Sequence, residues 1–520
     1  MLAAVVVFAA LLRLKGIHDP IIDHPGWRQG DTAAIARNFV TLQYDILKPQ
    51  TDYNGAPPHY VELELQIVPF LAATLYKLFG IHEIFGRLIS LGFGLGTIAL
   101  IGAFARWFFR SDIAGIAAAL AFTAFPGTIY YSRSFMPDTT MVFFLCAAVY
   151  ATMRWLWDAP ERDWRGFALA GPLVALALLA KPVALVGLIP LAAVSCVRFG
   201  IAGTFRRPQT YALLAIAFVP LALYDSIVSA QAEWHWASGI TKLHVLPSLR
   251  QSLTSFPAFG AKLHKLGHTF RQLATTMLGP AGILFLIVGL VVLGAGTLRD
   301  RAFLWTWAGA GLLYGWVVLT VEPVDYYWYP VAPLAALCAS LVAIRGWNAV
   351  RETPWQTFAL GATAVAYLGF VLLSRYEIAD YYRYSKANYV AARALAATLP
   401  PDALIVMGHY DPSIQYYIDR KGWEVDPYVW TPLDEESAIH KRSRYFISVE
   451  PKRLQKNPEL YHWLARFPVD ERKRWPVYET DPAKIVPGAD ARWRAFRKAE
   501  HAAHLARLKK AHRNEPARAP

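Results

Sequence analysis

The sequence predicts a polytopic α-helical membrane protein of about eleven transmembrane helices, with a small extracytoplasmic α/β domain near its end. Three observations predict this. Of 520 residues, 55% are hydrophobic, 14% aromatic and 17% charged, where ordinary soluble domains carry about 25% charged residues. The apolar residues are gathered into runs long enough to cross a bilayer. Arginines recur in alternate short loops between those runs, as the positive-inside rule requires of a multi-pass chain.

The net charge of +14 does not imply nucleic acid. The arginines sit in short loops where membrane orientation explains them, and no recognisable binding module accompanies them. Cys146, Cys196 and Cys338 all fall inside apolar runs. They read as small packing residues and set up no disulfide framework.

Taken in order, residues 1–14 (MLAAVVVFAALLRL) are apolar but short for a span of roughly 20 residues. Neither a basic n-region nor a small-residue cleavage site marks a signal peptide, so an anchoring first helix is expected. Residues 15–83 form a polar, aromatic first loop carrying Asp19, Asp23, Asp31, Asp52, Glu62 and Glu64. Apolar runs follow at 84–108, 112–131, 137–156, 167–180, 183–197, 210–229, 278–297, 302–321, 328–344 and 355–374. Those at 167–180 and 183–197 meet at Lys181-Pro182, which predicts two tilted half-spans or one broken helix.

Arg106 and Arg110; Arg154, Arg162 and Arg165; Arg198, Arg206 and Arg207; Arg299 and Arg301; and Arg345 and Arg351 occupy five alternate loops. The positive-inside rule makes these cytoplasmic and sends the first loop, 230–277 and everything after 375 to the outer face. Within the first loop, Glu64–Gly80 is amphipathic and interrupted by Pro69, which predicts an interfacial helix. Segment 230–277 mixes tryptophans and histidines with leucines and also suits the interface. Composition changes after 375. ALIVMG and RYFISV predict short buried strands, with helices over KANYVAARALAATL and DPSIQYYIDR. The expected organisation is a transmembrane domain 1–375, an outer α/β domain 376–487, and a basic tail 488–520 that is a surface helix or disordered.

The residues able to carry chemistry lie at the outer rim. Asp31, in WRQGDTAAIARNF, reads either as a helix N-terminal acid favoured by the dipole or as a base for an acceptor hydroxyl. Glu62 and Glu64, in HYVELELQ, read as a solvated helix start or as carboxylates that orient an acceptor or bind a divalent metal with His59. Arg133 and Asp138, in YYSRSFMPDTT, either pair with each other or leave Arg133 for a phosphate. Lys181 lies within almost unbroken apolar sequence, where a cation snorkels, finds a partner or meets a lipid phosphate. Tyr326 and Tyr327, in DYYWYPVAPL, fit an aromatic belt or a sugar-stacking face.

The ordered series Asp31, GAPPHYVELELQIVPFLAATLYKLFGIHEIFGRLIS, YYSRSFMPDTT, ALLAKP and DYYWYPVAPL resembles the GT-C superfamily of membrane glycosyltransferases over 15–375. The branch it is most similar to holds aminoarabinose transferase and the dolichyl-phosphate-mannose-protein mannosyltransferases. The resemblance implies a GT-C-like fold, a polyprenyl-monophosphate sugar donor and inversion at the anomeric carbon. It implies that Asp31 is the catalytic acid of the first loop, near the acceptor. Arg133, Lys181 and, beside Asp31, Arg28 are the cations for the donor phosphate, with Asp138, Tyr326 and Tyr327 in support. The chain departs from the family pattern at Pro57-Pro58-His59, where the family often reads Pro-Pro-Leu. Asp31 is followed by Thr32 rather than a second acid, so adjacent paired carboxylates are not expected.

The expectation is therefore sugar transfer to a lipopolysaccharide, another envelope glycan or lipid, or a protein, on the outer side of a bacterial cytoplasmic membrane. Membrane lipids are its surroundings, and a divalent metal its one candidate cofactor. The alternatives are a polymerase or ligase using diphosphate-linked donors, and a lipid or sugar transporter. Repeat symmetry and charges at mid-membrane depth would favour the transporter, and the sequence has neither.

Overall fold

A computed structural model describes residues 1–158 and 163–513. Arg162 of the arginine-bearing loops and residues 514–520 of the basic tail lie outside the described residues. The chain forms two compact units. The first is Met1–Pro25, Ile35–Gln50 and Tyr60–Arg383; the second is Gly26–Ala34, Thr51–His59 and Tyr384–Pro520. Two pieces of the first loop thus belong with the later α/β region, which the boundary expected at 375 had kept apart.

The first unit is helical. Among the described residues seven helices are long and apolar enough to cross a membrane: Ile84–Phe109, Asp138–Asp158, Pro182–Arg206, Pro208–Gln231, Leu298–Leu319, Asp325–Val350 and Gln356–Glu377. Phe256–Met277 and Gly279–Val292, bent by 111°, make an eighth if taken as one span. The eleven crossings expected from hydropathy also counted shorter apolar helices, which here are Leu2–Arg13, Asp112–Ala124 and Trp164–Ala180. Prolines set several of these ends. The run 112–131 breaks where Phe125, at ψ 133°, precedes Pro126, because a residue before proline is driven out of the helical region. Lys181 is extended at φ −171°, ψ 126° before Pro182, so the two short runs are separate helices.

Small residues set the helix packing. A Cβ on Gly115 would lie 2.8 Å from the carbonyl oxygen of Gly102, and one on Gly289 2.4 Å from the Cβ of Cys338. Close backbone approach of this kind is how helices associate where lipid removes the hydrophobic drive. Cys146 and Cys338 are buried, and all three cysteines are free thiols. Ile67–Phe79 buries Val68, Ala72, Ala73 and Tyr76 along one face, with Pro69 tolerated because it sits in the first turn. Val61–Glu62 pairs in parallel with Trp234–His235, which ties the first loop to the start of segment 230–277.

The second unit is built on a five-stranded mixed sheet in the order Gly422–Glu424, Leu404–Met407, Ser443–Ile447, Val477–Glu479, Val469–Asp470. The first three strands are parallel and the last two join antiparallel. Leu404–Met407 and Ser443–Ile447 are the two strands expected from their apolar runs. The other three are two or three residues long, too short to show periodicity. Val406, Phe446, Leu460, Trp463 and Leu464 form the core. The first-loop pieces join this unit through the backbone: Gly55 N–H donates to Gly422 O at 2.7 Å, and Gly422 N–H to Asp52 O at 3.0 Å. The basic tail begins as the helix Ala489–Arg513.

Candidate active site

Asp31 lies inside the helix Gly26–Thr41 rather than at its start, since the N-cap is Pro25. The alternative reading of Asp31 as an N-terminal dipole acid is thereby excluded. Gly30 is needed for the way this helix packs, because a Cβ there would lie 2.4 Å from Ser413 N. Packed so closely, Asp31 is only 5% exposed. Its Oδ1 accepts a hydrogen bond from Tyr53 Oη at 2.8 Å. Burial pushes the Asp31 carboxyl up to about 7, against the pull of Arg28 and the Tyr53 hydroxyl and with help from Asp411 and Asp52. A carboxyl poised near neutrality is what a general base requires.

A second acid stands beside it. Glu424, on the strand Gly422–Glu424, has a buried Oε1 with no hydrogen-bond partner. Its carboxyl is held well above the ordinary range, first by burial and then by the charges of Asp31 and Asp411. The companion carboxylate missing from the sequence neighbourhood of Asp31 thus comes from nearly four hundred residues away. Glu424, Tyr53 and Asp411 were missed, and no local pattern marks them. Asp411 caps Pro412–Ile418, accepting from Ser413 N at 2.9 Å and Ser413 Oγ at 2.7 Å. Asp52, 1% exposed, pairs with Lys421.

His59 is buried in the same unit, with Nδ1 3.3 Å from the Thr51 carbonyl, and burial lowers its pKa. Glu62 and Glu64 belong to the first unit. Glu62 is the buried one at 1% exposure, and its Oε2 accepts from Ser238 Oγ at 2.8 Å and Ser238 N at 3.3 Å. Glu64 is half-buried, and its carbonyl accepts from Tyr224 Oη at 3.1 Å. Among the described residues no three His, Cys, Asp or Glu side chains form a group able to hold a metal ion. No step below is routed through a metal.

The cations of the first unit are sorted differently from the pairing expected between Arg133 and Asp138. Asp138, first residue of Asp138–Asp158, is taken by Lys181, whose Nζ lies 2.6 Å from Asp138 Oδ1. The ammonium also lies 4.5 Å from the ring centre of Tyr327 and 5.3 Å from that of Tyr326. Lys181, Asp138, Tyr326 and Tyr327 thus come together as a cluster. Arg133 is fully buried and bonds Asp23, as does Arg87 at 2.8 Å. Its guanidinium packs on Tyr130 at 4.5 Å and Tyr382 at 4.7 Å. The sequence offered no sign of this, because Asp23 lies 110 residues from Arg133. Asp325, beside Tyr326, accepts from Tyr131 Oη at 2.6 Å and from Tyr381 Oη.

Residues 66–224 match the family model of dolichyl-phosphate-mannose-protein mannosyltransferases. The whole chain is similar in fold to ArnT from Cupriavidus metallidurans. Against ArnT in the apo state the TM-score is 0.61 at 15% identity, covering 93% of this chain and 98% of that one. Against ArnT bound to undecaprenyl phosphate it is 0.58 at 14% identity, covering 93% and 99%. Among curated proteins none matches the chain at a significant level.

Proposed function

We propose that this chain, a GT-C membrane glycosyltransferase of the aminoarabinose transferase and protein mannosyltransferase type by its fold and its family segment, moves a sugar from a polyprenyl-monophosphate donor to an envelope acceptor. The acceptor is a lipopolysaccharide, another envelope glycan or lipid, or a protein. The reaction takes place on the outer face of a bacterial cytoplasmic membrane. The arginine-bearing loops support that orientation, and the neighbouring structure with undecaprenyl phosphate supports the donor class.

The observation that carries the reading is Asp31, a buried carboxyl poised near neutrality and bonded by Tyr53. In its ionised form Asp31 takes the proton of an acceptor hydroxyl as that oxygen attacks the anomeric carbon. The bond from that carbon to the phosphate oxygen breaks on the opposite face, so the configuration inverts and polyprenyl phosphate leaves. Lys181, held by Asp138 and flanked by Tyr326 and Tyr327, is our candidate for the charge that develops on the departing phosphate. Arg28, the other cation expected at the donor phosphate, also holds the Asp31 pKa down.

Purified protein given labelled polyprenyl-phosphate sugar tests the proposal. Donor cleavage with release of polyprenyl phosphate is expected. Uptake or scrambling without cleavage would make the chain a transporter, and consumption of diphosphate-linked donors alone would make it a polymerase or ligase. Two further outcomes are expected in this assay. Lys181→Met should lower turnover by about 10²-fold, the usual loss on removing one stabiliser of a developing oxyanion. Tyr53→Phe should move the pH–rate profile to higher pH by roughly one unit, because a hydrogen bond to a charged group is worth about 1.5–3 kcal/mol. An unmoved profile would show that Tyr53 does not tune the base.

A further inference from the structure

We infer that a crevice among four helices of the first unit binds one acyl chain of an anionic glycerophospholipid, with the lipid phosphate at Arg206 and Arg207. The crevice has a volume of about 380 Å³ and is lined from Asp138–Asp158, Trp164–Ala180, Leu185–Arg206 and Pro208–Gln231. Its walls are mostly apolar, among them Leu178, Leu188, Ile189, Leu213 and Phe218; apart from Thr152, its polar side chains are Ser195, Thr204, Thr210 and Arg207.

Gly200 builds that polar end. At φ 72° and ψ 162° it breaks the helix, and the chain beyond it turns so that Thr204 Oγ1 lies 3.2 Å from Ser195 Oγ. The Thr204 carbonyl then accepts from Thr210 Oγ1 at 2.7 Å. The outcome is an amphipathic slot, greasy along its length and cationic with hydroxyls at one end.

Charge selects the occupant. No Asp or Glu occurs between Asp163 and Asp225, while Arg198, Arg206 and Arg207 fall within ten residues of one another. Arg198 and Arg206 are exposed. An anionic headgroup at this rim meets guanidinium groups whose geometry matches phosphate oxygens. A zwitterionic lipid brings its own ammonium and gains less. Lys181, the cation nearest in sequence to the other wall, is already paired with Asp138.

The test is native mass spectrometry of the full chain from nanodiscs of equimolar phosphatidylglycerol and phosphatidylcholine. Retention of phosphatidylglycerol above phosphatidylcholine is expected, falling roughly five-fold for each charge removed in Arg206→Gln and Arg206→Gln/Arg207→Gln. Ala192→Trp, on the exposed side of the crevice, fills the slot and is expected to remove the adduct with both arginines intact. Equal retention of the two lipids, or an unchanged adduct in either the arginine or the tryptophan variant, would overturn the assignment. Displacement of phosphatidylglycerol by added undecaprenyl phosphate would overturn it too, by giving the slot to the sugar carrier.

Discussion

Asp31→Asn is expected to lower turnover by about 10²–10⁴-fold, the usual worth of a positioned general base, while donor binding stays intact. The same substitution should behave unusually toward stability. Asp31 titrates near 7 in the folded chain and near 3.8 when unfolded. Between those values the unfolded state has lost the proton that the folded state keeps, so stability falls as pH rises through this window and levels off above it. An asparagine keeps the shape and an acceptor for Tyr53 and carries no such cost. At pH 3, below both values, the two proteins should melt together. At pH 8 the variant should be the more stable, by up to about 4 kcal/mol at 1.36 kcal/mol per pKa unit.

Catalysis runs the other way across that window. The wild-type kcat/KM should rise about tenfold per pH unit below 7 and flatten above it, as the base ionises. A variant inactive yet stabilised at alkaline pH is the signature of a carboxylate kept for chemistry. Retained turnover in Asp31→Asn would remove Asp31 as the base and point to an acceptor that is itself a phosphate, already ionised and needing none.

What could be read from the sequence divides by range. Helices such as Ile84–Phe109 and Gln356–Glu377 follow from uninterrupted apolar runs, and the junction at Lys181-Pro182 from a local steric rule. Asp31 and Lys181 stood out because charges are scarce and costly in such a chain. Their partners did not stand out. A carboxylate finds its cation through tertiary packing, so Asp138 reads against Arg133 five residues away, whereas it pairs with Lys181. Glu424 sits in a strand of three residues, too short to show periodicity. The first-loop pieces dock on the backbone of Gly422, two residues before it. The positions of scarce charges were therefore legible, and their pairings were not.

The second large effect is structural. Asp23, Arg87 and Arg133 have fully buried side chains, so one carboxylate serves two guanidinium groups. The backbone carbonyls of Gly16, Asp19 and Pro20 accept further hydrogen bonds from the terminal nitrogens of Arg87, and that of Gly16 also accepts from Arg133. The group thereby fixes the start of the first loop against the helix Ile84–Phe109, which carries Arg87, and the turn after Pro126–Tyr131, which carries Arg133. Asp23→Asn leaves both cations buried with no countercharge, which typically costs about 3–5 kcal/mol. A sharp loss of folded protein in detergent is expected. Arg133→Met removes one of the two cations and leaves Arg87 with Asp23, so its loss of stability should be clearly smaller. That order is the check, because a mere cavity would make the larger truncation, Arg133→Met, the worse of the two. The Arg133→Met protein that does fold should keep its donor KM. A KM that rose instead would return Arg133 to the donor phosphate and limit the anchoring role to Arg87.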